Sequence, residues 1–413
     1  MPPTINTEQL AISVPPTINL EQLGFDAGAH LLVKHGLLNV PPGGELCVVG
    51  DSPGWESQLS AWCRSQGHAC QVSEQDGRPL ARVTRGNAQA GRWRGALHSG
   101  HADPSLQGAV AERAQASWGL AARGATVEAG SPAIHFRLDR KSEVWTDSAA
   151  DLYAQAAAAQ WDPATAIDWS ASFELPDIVE DAVVQVLTYM IENEVAALIV
   201  PTRFLGQLHP HFREVQALLA IQIADEARHI DVFTRRVRLK GREPALSTAG
   251  GQTSLKTLLD EPDFSIAEFL LSVLGEGTFV SLLNFLRLHA PDPVTRDIAR
   301  LAARDEARHV AFGMMHLMAR LAHEPELRTR LSNAVQSRND ALSGTSGLNE
   351  EVFDALILLA AGEFTPAAIA SGYVRVQQLM LEMAQGRQAR LEKLGFEKDA
   401  AQQLSALHTR NFM

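Results

Sequence analysis

Along the second two thirds of the chain, apolar residues recur at three- and four-residue intervals, the spacing of one helix face. The pattern predicts helices over 149–160, 175–200, 212–239, 265–288, 293–322, 350–361, 366–394 and 398–409, broken by Gly and Pro where helices end. The front of the chain reads differently. A short strand from Ile18, a helical pattern over 29–38, the turn Pro41-Pro-Gly-Gly44, the strand 45–49, a helix opened by Asp51-Ser-Pro-Gly54 and stopped by Gly67, and two further strands make a βαβαββ pattern over 18–84. Before it, Pro2-Pro-Thr-Ile-Asn-Thr-Glu-Gln-Leu10 is nearly repeated by Pro15-Pro-Thr-Ile-Asn-Leu-Glu-Gln-Leu23, and 1–17 is read as a flexible arm because Pro-Pro suits neither a helix interior nor a central strand. Residues 85–148, rich in Gly, Arg and Ala, are a connecting segment without assigned elements. The expected fold is mainly α: a helical bundle over 149–325, C-terminal helices over 326–413 packing on it, and the small α/β domain in front.

Composition narrows the function. Of 413 residues, 36 are Lys or Arg and 48 Asp or Glu, a net charge of −12 that argues against a nucleic-acid backbone or an anionic membrane as partner. The first ten residues have no basic, apolar leader pattern, and purely apolar runs such as 355–361 are far shorter than a membrane span, so a cytoplasmic protein is expected. Three cysteines, Cys47, Cys63 and Cys70, form no Cys-x-x-Cys pair and are odd in number, which disfavours a disulfide framework or a thiolate zinc site.

The sharpest feature is a repeated pentapeptide, Asp225-Glu-Ala-Arg-His229 and Asp305-Glu-Ala-Arg-His309, 80 residues apart. On a helix, residues three apart share a face, so Glu226 with His229, and Glu306 with His309, can each chelate one metal. Bridging ligands are then expected from the helix preceding each motif. Glu194 continues the apolar face of Val183, Leu187, Met190 and Ile191, whereas Glu192 falls almost opposite; Glu276 lies among Phe269, Val273, Val280 and Leu283. A carboxylate on an apolar face is costly unless something positive meets it. The intervals agree, 32 residues from Glu194 to Glu226 and 30 from Glu276 to Glu306. Carboxylates mixed with two imidazoles suit iron or manganese better than zinc or copper.

Glu, Glu-x-x-His, Glu, Glu-x-x-His on four successive helices resembles the ferritin-like di-iron carboxylate proteins over about 161–322. The resemblance implies a four-helix bundle in which Glu194, Glu226, His229, Glu276, Glu306 and His309 hold two iron ions, with Mn/Fe as the alternative, and O2 is co-substrate. Asp225 and Asp305, four residues before the histidines on the same face, would accept the proton of the non-ligating ring nitrogen. Met190, Phe233, Phe269 and Phe279 are the candidates for lining a pocket. Where ribonucleotide reductase small subunits keep a radical tyrosine, this chain has Phe233 and, in the second copy, Gly313; ferritins are shorter, and three cysteines cannot make the extra iron site of rubrerythrin-like proteins. What remains is an oxidase or oxygenase that hydroxylates, N-oxygenates or desaturates a small organic substrate, fed by an external electron donor such as a reductase or ferredoxin, with a homodimer expected from resemblance alone. An iron-handling ferroxidase or peroxide scavenger is the alternative.

Val40-Pro-Pro-Gly-Gly-Glu-Leu46, Gly50-Asp-Ser-Pro-Gly54 and Ala61-Trp-Cys-Arg-Ser-Gln-Gly-His68 resemble the TusA/SirA-like sulfur-carrier domain. That family starts its first helix with Cys-Pro; here Gly24-Phe-Asp-Ala-Gly-Ala-His30 has neither residue, which turns the expectation from a sulfur relay to a docking module. Trp161 and Trp169 are read as anchors of a proline turn, His209 and His211 as surface residues beside Pro210, and His316 as a neighbour of the site.

Overall fold

A computed structural model describes residues 15–88, 95–343 and 350–407; most of the arm read at 1–17 lies outside them. The described residues fall into two compact units, 15–98 with 125–132 and 99–124 with 133–407.

In the first unit, β1 (Thr17–Asn19), α1 (His30–Leu38), β2 (Glu45–Val49), α2 (Trp55–Gln66), β3 (Ala69–Gln75) and β4 (Arg78–Thr84) follow one another in the expected order. The sheet order is β1-β2-β4-β3, with β1 parallel to β2 and the other pairs antiparallel. Val33 and Leu37 from α1 and Trp55, Leu59 and Cys63 from α2 are buried in one core with Leu46 and Val48. Cys63 is thus a small core residue and Cys70 half-buried. A two-residue pair, β5 (Leu97–His98) with β6 (Thr126–Val127), completes the unit.

The second unit is helical: α3 (Lys141–Val144), α4 (Ala149–Ala158), α5 (Asp177–Leu205), α6 (Arg213–Leu239), α7 (Ala249–Leu259), α8 (Phe264–Glu268), a π stretch (Phe269–Glu276), α9 (Gly277–His289), α10 (Pro293–His323), α11 (Leu327–Ser343), α12 (Glu350–Ala361), α13 (Pro366–Lys393) and α14 (Lys398–Leu407). Sequence periodicity misses α3, α7 and α11, and it renders 265–288 as one regular helix. The helix there is α at both ends and π between, its i→i+5 bonds placing more residues in each turn.

Four runs form the bundle: α5 packs on α6, α9 on α10, and α10 on the π stretch and α6. The runs 177–205 and 264–289 are long and apolar enough to cross a membrane by length and composition, but their most apolar windows are 67% and 83% buried inside the protein. Every residue from 264 to 279 is buried, as expected for a helix that is apolar all round. α10 starts at a strong cap, Asp292 accepting the Thr295 amide at 2.8 Å with Pro293 in the first turn. The same Asp292 and Glu180 sandwich the fully buried guanidinium of Arg236 at 2.9 and 2.6 Å, tying the start of α10 to α5 and α6. Removing the Arg236 guanidinium would strand two buried carboxylates, a loss of about 3–5 kcal/mol.

Candidate metal centre

Four bundle runs each deliver a carboxylate to one interior point. Glu194 comes from α5, Glu226 and His229 from α6, Glu276 from the last position of the π stretch, and Glu306 and His309 from α10. None of the six is more than 4% exposed. Their donor atoms form two overlapping groups, Glu194, Glu226, His229 and Glu306 in one and Glu226, Glu276, Glu306 and His309 in the other, each within 4.8 Å. His229 Nδ1 lies 3.4 Å from Glu194, 3.4 Å from Glu226 and 3.3 Å from Glu306; His309 Nδ1 lies 2.9 Å from Glu226, 3.3 Å from Glu306 and 3.9 Å from Glu276.

This overlap corrects the roles expected from sequence. Glu226 and Glu306, the motif glutamates, belong to both groups and stand between the two positions, while Glu194 and Glu276 each belong to one. The carboxylates shared by the two groups come from the pentapeptides, because α6 and α10 pack directly on each other and carry their motifs at the same level.

The aspartates are also placed differently from the same-helix reading. His229 Nε2 is 3.2 Å from Asp305 Oδ2, and His309 Nε2 is 3.3 Å from Asp225 Oδ2, so each histidine is oriented by the aspartate of the other motif. With Nδ1 turned to the glutamates, the second ring nitrogen points across to the opposite helix. Arg228 bonds Asp225 on its own turn and Asp305 at 3.0 Å; Arg308 bonds Asp305 and approaches Asp225 at 3.8 Å. A segment far away in sequence closes this layer: Gln160 donates to Asp225 at 2.8 Å and Trp161 Nε1 to Asp305 at 2.7 Å. The Trp161 ring lies nearly parallel to His229, and the Arg228 guanidinium lies 4.7 Å from its centroid. Trp169 Nε1 donates to the Pro163 carbonyl and closes the proline turn.

The donor set fits cations. Both oxygens of Glu226, one each of Glu194, Glu276 and Glu306, and His309 Nδ1 are buried with no partner in hydrogen-bond geometry, a costly arrangement for an interior without ions. Four carboxylates balance two divalent ions, and Asp225 and Asp305 balance Arg228 and Arg308. Burial, then the charge of Glu226, pushes Glu194 well above the usual carboxylate range; burial likewise raises Glu276, with Glu306 and Glu226 adding to it. Burial opposes the charged form of the histidines but is outweighed, by Glu194 and Asp305 at His229 and by Glu226 and Asp225 at His309, so both are raised well above their ordinary value. A bound cation would favour the deprotonated forms of these groups and so compete with protons for them.

Gln222, one turn before Glu226, donates to Glu276 at 3.2 Å. Glu268, fully buried, accepts from Ser272 at 3.1 Å and is pushed up to about 7, chiefly by burial. Neither is marked in the sequence by more than its place on a buried helical face. Met190, Phe233, Phe269 and Phe279 are all within 3% of complete burial as packed core, and the Phe233 ring centroid is 6.5 Å from that of His229. His209 and His211 are each 2% exposed, contrary to the surface reading, because residues 99–124 fold over their loop: His211 Nε2 accepts from the Ala111 amide at 2.8 Å and its ring packs on Trp118. Arg123 lies there too, bonded to the His211 carbonyl and to Glu214. His316 is outside both donor groups, 2.7 Å from Ser265 Oγ.

No protein-family model and no curated protein matches the chain. Among solved structures, it is similar to Protein 19 with aldehyde deformylating oxidase activity from Synechococcus, at 18% identity over 58% of this chain and 98% of that one, TM-score 0.41. It is also similar to an R2-like ligand-binding oxidase with aerobically reconstituted metal cofactor after photoconversion, at 16% identity over 64% and 92%, TM-score 0.40. An R2-like ligand-binding oxidase with aerobically reconstituted Mn/Fe cofactor (long soak) gives 16% identity over 64% of this chain and 91% of that one, TM-score 0.39.

Proposed function

We propose that the chain is a ferritin-like, dioxygen-dependent oxidase with a di-iron centre, or Mn/Fe in its place, acting on a small organic substrate. The observation that carries this reading is the pair of overlapping donor groups sharing Glu226 and Glu306. Two such ions, when bound, supply two electrons to dioxygen, chemistry that these side chains lack by themselves.

The protein's own part is positional. Glu226 and Glu306 would serve both cations, and Glu194 and Glu276 would each complete one of the two donor groups. Asp305 and Asp225 accept from the Nε2 protons of His229 and His309, fixing the tautomer with Nδ1 inward. Apolar neighbours, Met190 and Phe233 among them, keep water from the centre. We place the protein in the cytoplasm with an external reductase or ferredoxin as donor. The front α/β unit is proposed as a TusA-like docking module without carrier chemistry, since residues 24–30, which lead into its first helix, contain no cysteine.

Metal analysis after anaerobic loading with ferrous iron is expected to give about two ions per chain, followed by oxygen uptake when air is admitted. Fewer than one ion per chain sinks the reading. Repeated oxidation of excess iron into a mineral would turn it towards iron handling.

A further inference from the structure

The front unit brings two of its three thiols together. Cys63 sits on the buried face of α2 with Trp55 and Leu59, and Cys70 lies on β3, seven residues further along the chain. The Cys63 carbonyl accepts the His68 amide at 2.8 Å around a left-handed Gly67, so the chain turns back and packs the start of β3 against α2. Ser60, one turn before Cys63 on the same helix face, donates to Cys70 Sγ at 3.6 Å, and the Cys63 thiol is itself hydrogen-bonded to Cys70. Because β3 is an edge strand, Cys70 is only half-buried, while Cys63 is fully enclosed. Cys47 is kept apart: Cys70 pairs with Val83 and Val83 with Leu46 on the core face, whereas Cys47 follows Leu46 in β2 and points to the other face.

The two sulfurs have opposite characters. The hydrogen bond from Cys63, helped by Ser60 and the Arg64 guanidinium, pulls Cys70 down to about 6 against the effect of burial. That same contact, and then burial, pushes Cys63 up. An outer thiolate is the nucleophile of the pair, and the enclosed thiol beside it is placed to resolve whatever forms on the outer sulfur.

We propose that Cys70 and Cys63 form a two-cysteine modification site, at which a hydroperoxide oxidises Cys70 and Cys63 converts the product to a disulfide. In the first step the Cys70 thiolate attacks the peroxide: an S–O bond forms, the O–O bond breaks, and the leaving oxygen takes up a proton, leaving a sulfenic acid. In the second, the Cys63 sulfur attacks Cys70, the S–S bond forms and the S–O bond breaks, and the hydroxyl leaves with the Cys63 proton as water. The dithiol gives up two electrons and the peroxide O–O bond receives them. The inference does not depend on the metal centre or on the oxidase reading.

The full chain, held with a chelator so that no metal takes part, is treated with hydrogen peroxide at neutral pH and read by intact mass and peptide mapping. The mass is expected to fall by about 2 Da, with the Cys63 and Cys70 peptides joined, Cys47 still free, and dithiothreitol restoring the thiols. Cys63→Ala is expected to stop at the sulfenic acid, which dimedone traps on Cys70. Cys70→Ser is expected to slow oxidation of the remaining thiols by about tenfold or more. Should either variant not fold, the peptide map of the unaltered protein still decides. An unchanged mass, a disulfide that includes Cys47 or joins two chains, dimedone on a cysteine other than Cys70, or oxidation of Cys70→Ser at the unaltered rate each overturn the proposal.

Discussion

The two halves of the candidate metal centre begin as copies and end as different objects. In the first half, Glu194 sits on a regular α-helix and Phe233 follows His229 by one turn; in the second, Glu276 closes a π stretch and Gly313 holds the equivalent place. Gln222 supports Glu276, whereas its counterpart 80 residues later is Ala302, so Glu194 receives no such donor from α10. Gln160 holds one aspartate and Trp161 the other. Duplication explains the ligands, and the departures from it show where the two positions were made unequal. The extra buried Glu268 and the adaptable backbone both belong to the second half.

The broadest test of that contrast is metal content. Glu226→Ala or Glu306→Ala should lower it from about two ions to near zero, because each serves both positions, whereas Glu194→Ala and Glu276→Ala should each leave about one. Full occupancy in the last two would remove them from the ligand set. Next comes the crossed pairing: Asp305→Asn is expected to weaken metal affinity about 10- to 100-fold. A double-mutant cycle should couple Asp305 to His229 and leave His309 additive with it. The same-helix arrangement predicts the reverse coupling. A smaller effect is expected from Gly313→Ala, whose added methyl would lie 2.7 Å from Ser272 Cβ and 3.4 Å from a Val273 methyl on the π stretch. Denaturant melts should show a loss of about 1–3 kcal/mol, as overpacking costs, against little change for a methyl-sized alteration of exposed α10 residues. The gentlest test is pH. His211 and His316 are held neutral by burial, down to about 4 and about 3 from an ordinary 6.5. The unfolded chain therefore binds protons between those values and 6.5 while the folded chain does not. Stability should rise with pH across that window and level off above it. His211→Gln should flatten the rise in urea-midpoint measurements.

How far the sequence carried this picture depends on how local each cause is. Both pentapeptides, and the phase that separates buried Glu194 from half-buried Glu192, are local facts of an amphipathic helix, and they were legible. The same helical phase places Glu276, although residues 269–276 are π rather than α and buried on every side. Its interior position follows from all-round apolarity instead. The division into shared and single glutamates and the crossing of the aspartates depend on which helices touch, which no spacing records. Gln160 and Trp161 reach across 65 and 144 residues, and the burial of His209 and His211 rests on a segment about 100 residues earlier that periodicity could not assign.

The π stretch also constrains what insertions and deletions this chain can absorb. Each residue in an α-helix turns the chain by about 100°. A deletion within 269–276 that restored α geometry would therefore swing everything on one side of it relative to the other. Phe279 and Leu283 would leave the core seam they now fill, or Glu276 would leave the centre. The stretch acts as a phase adapter, reconciling two registers that a uniform helix could not satisfy together, and the length of this run is accordingly among the least negotiable quantities in the fold.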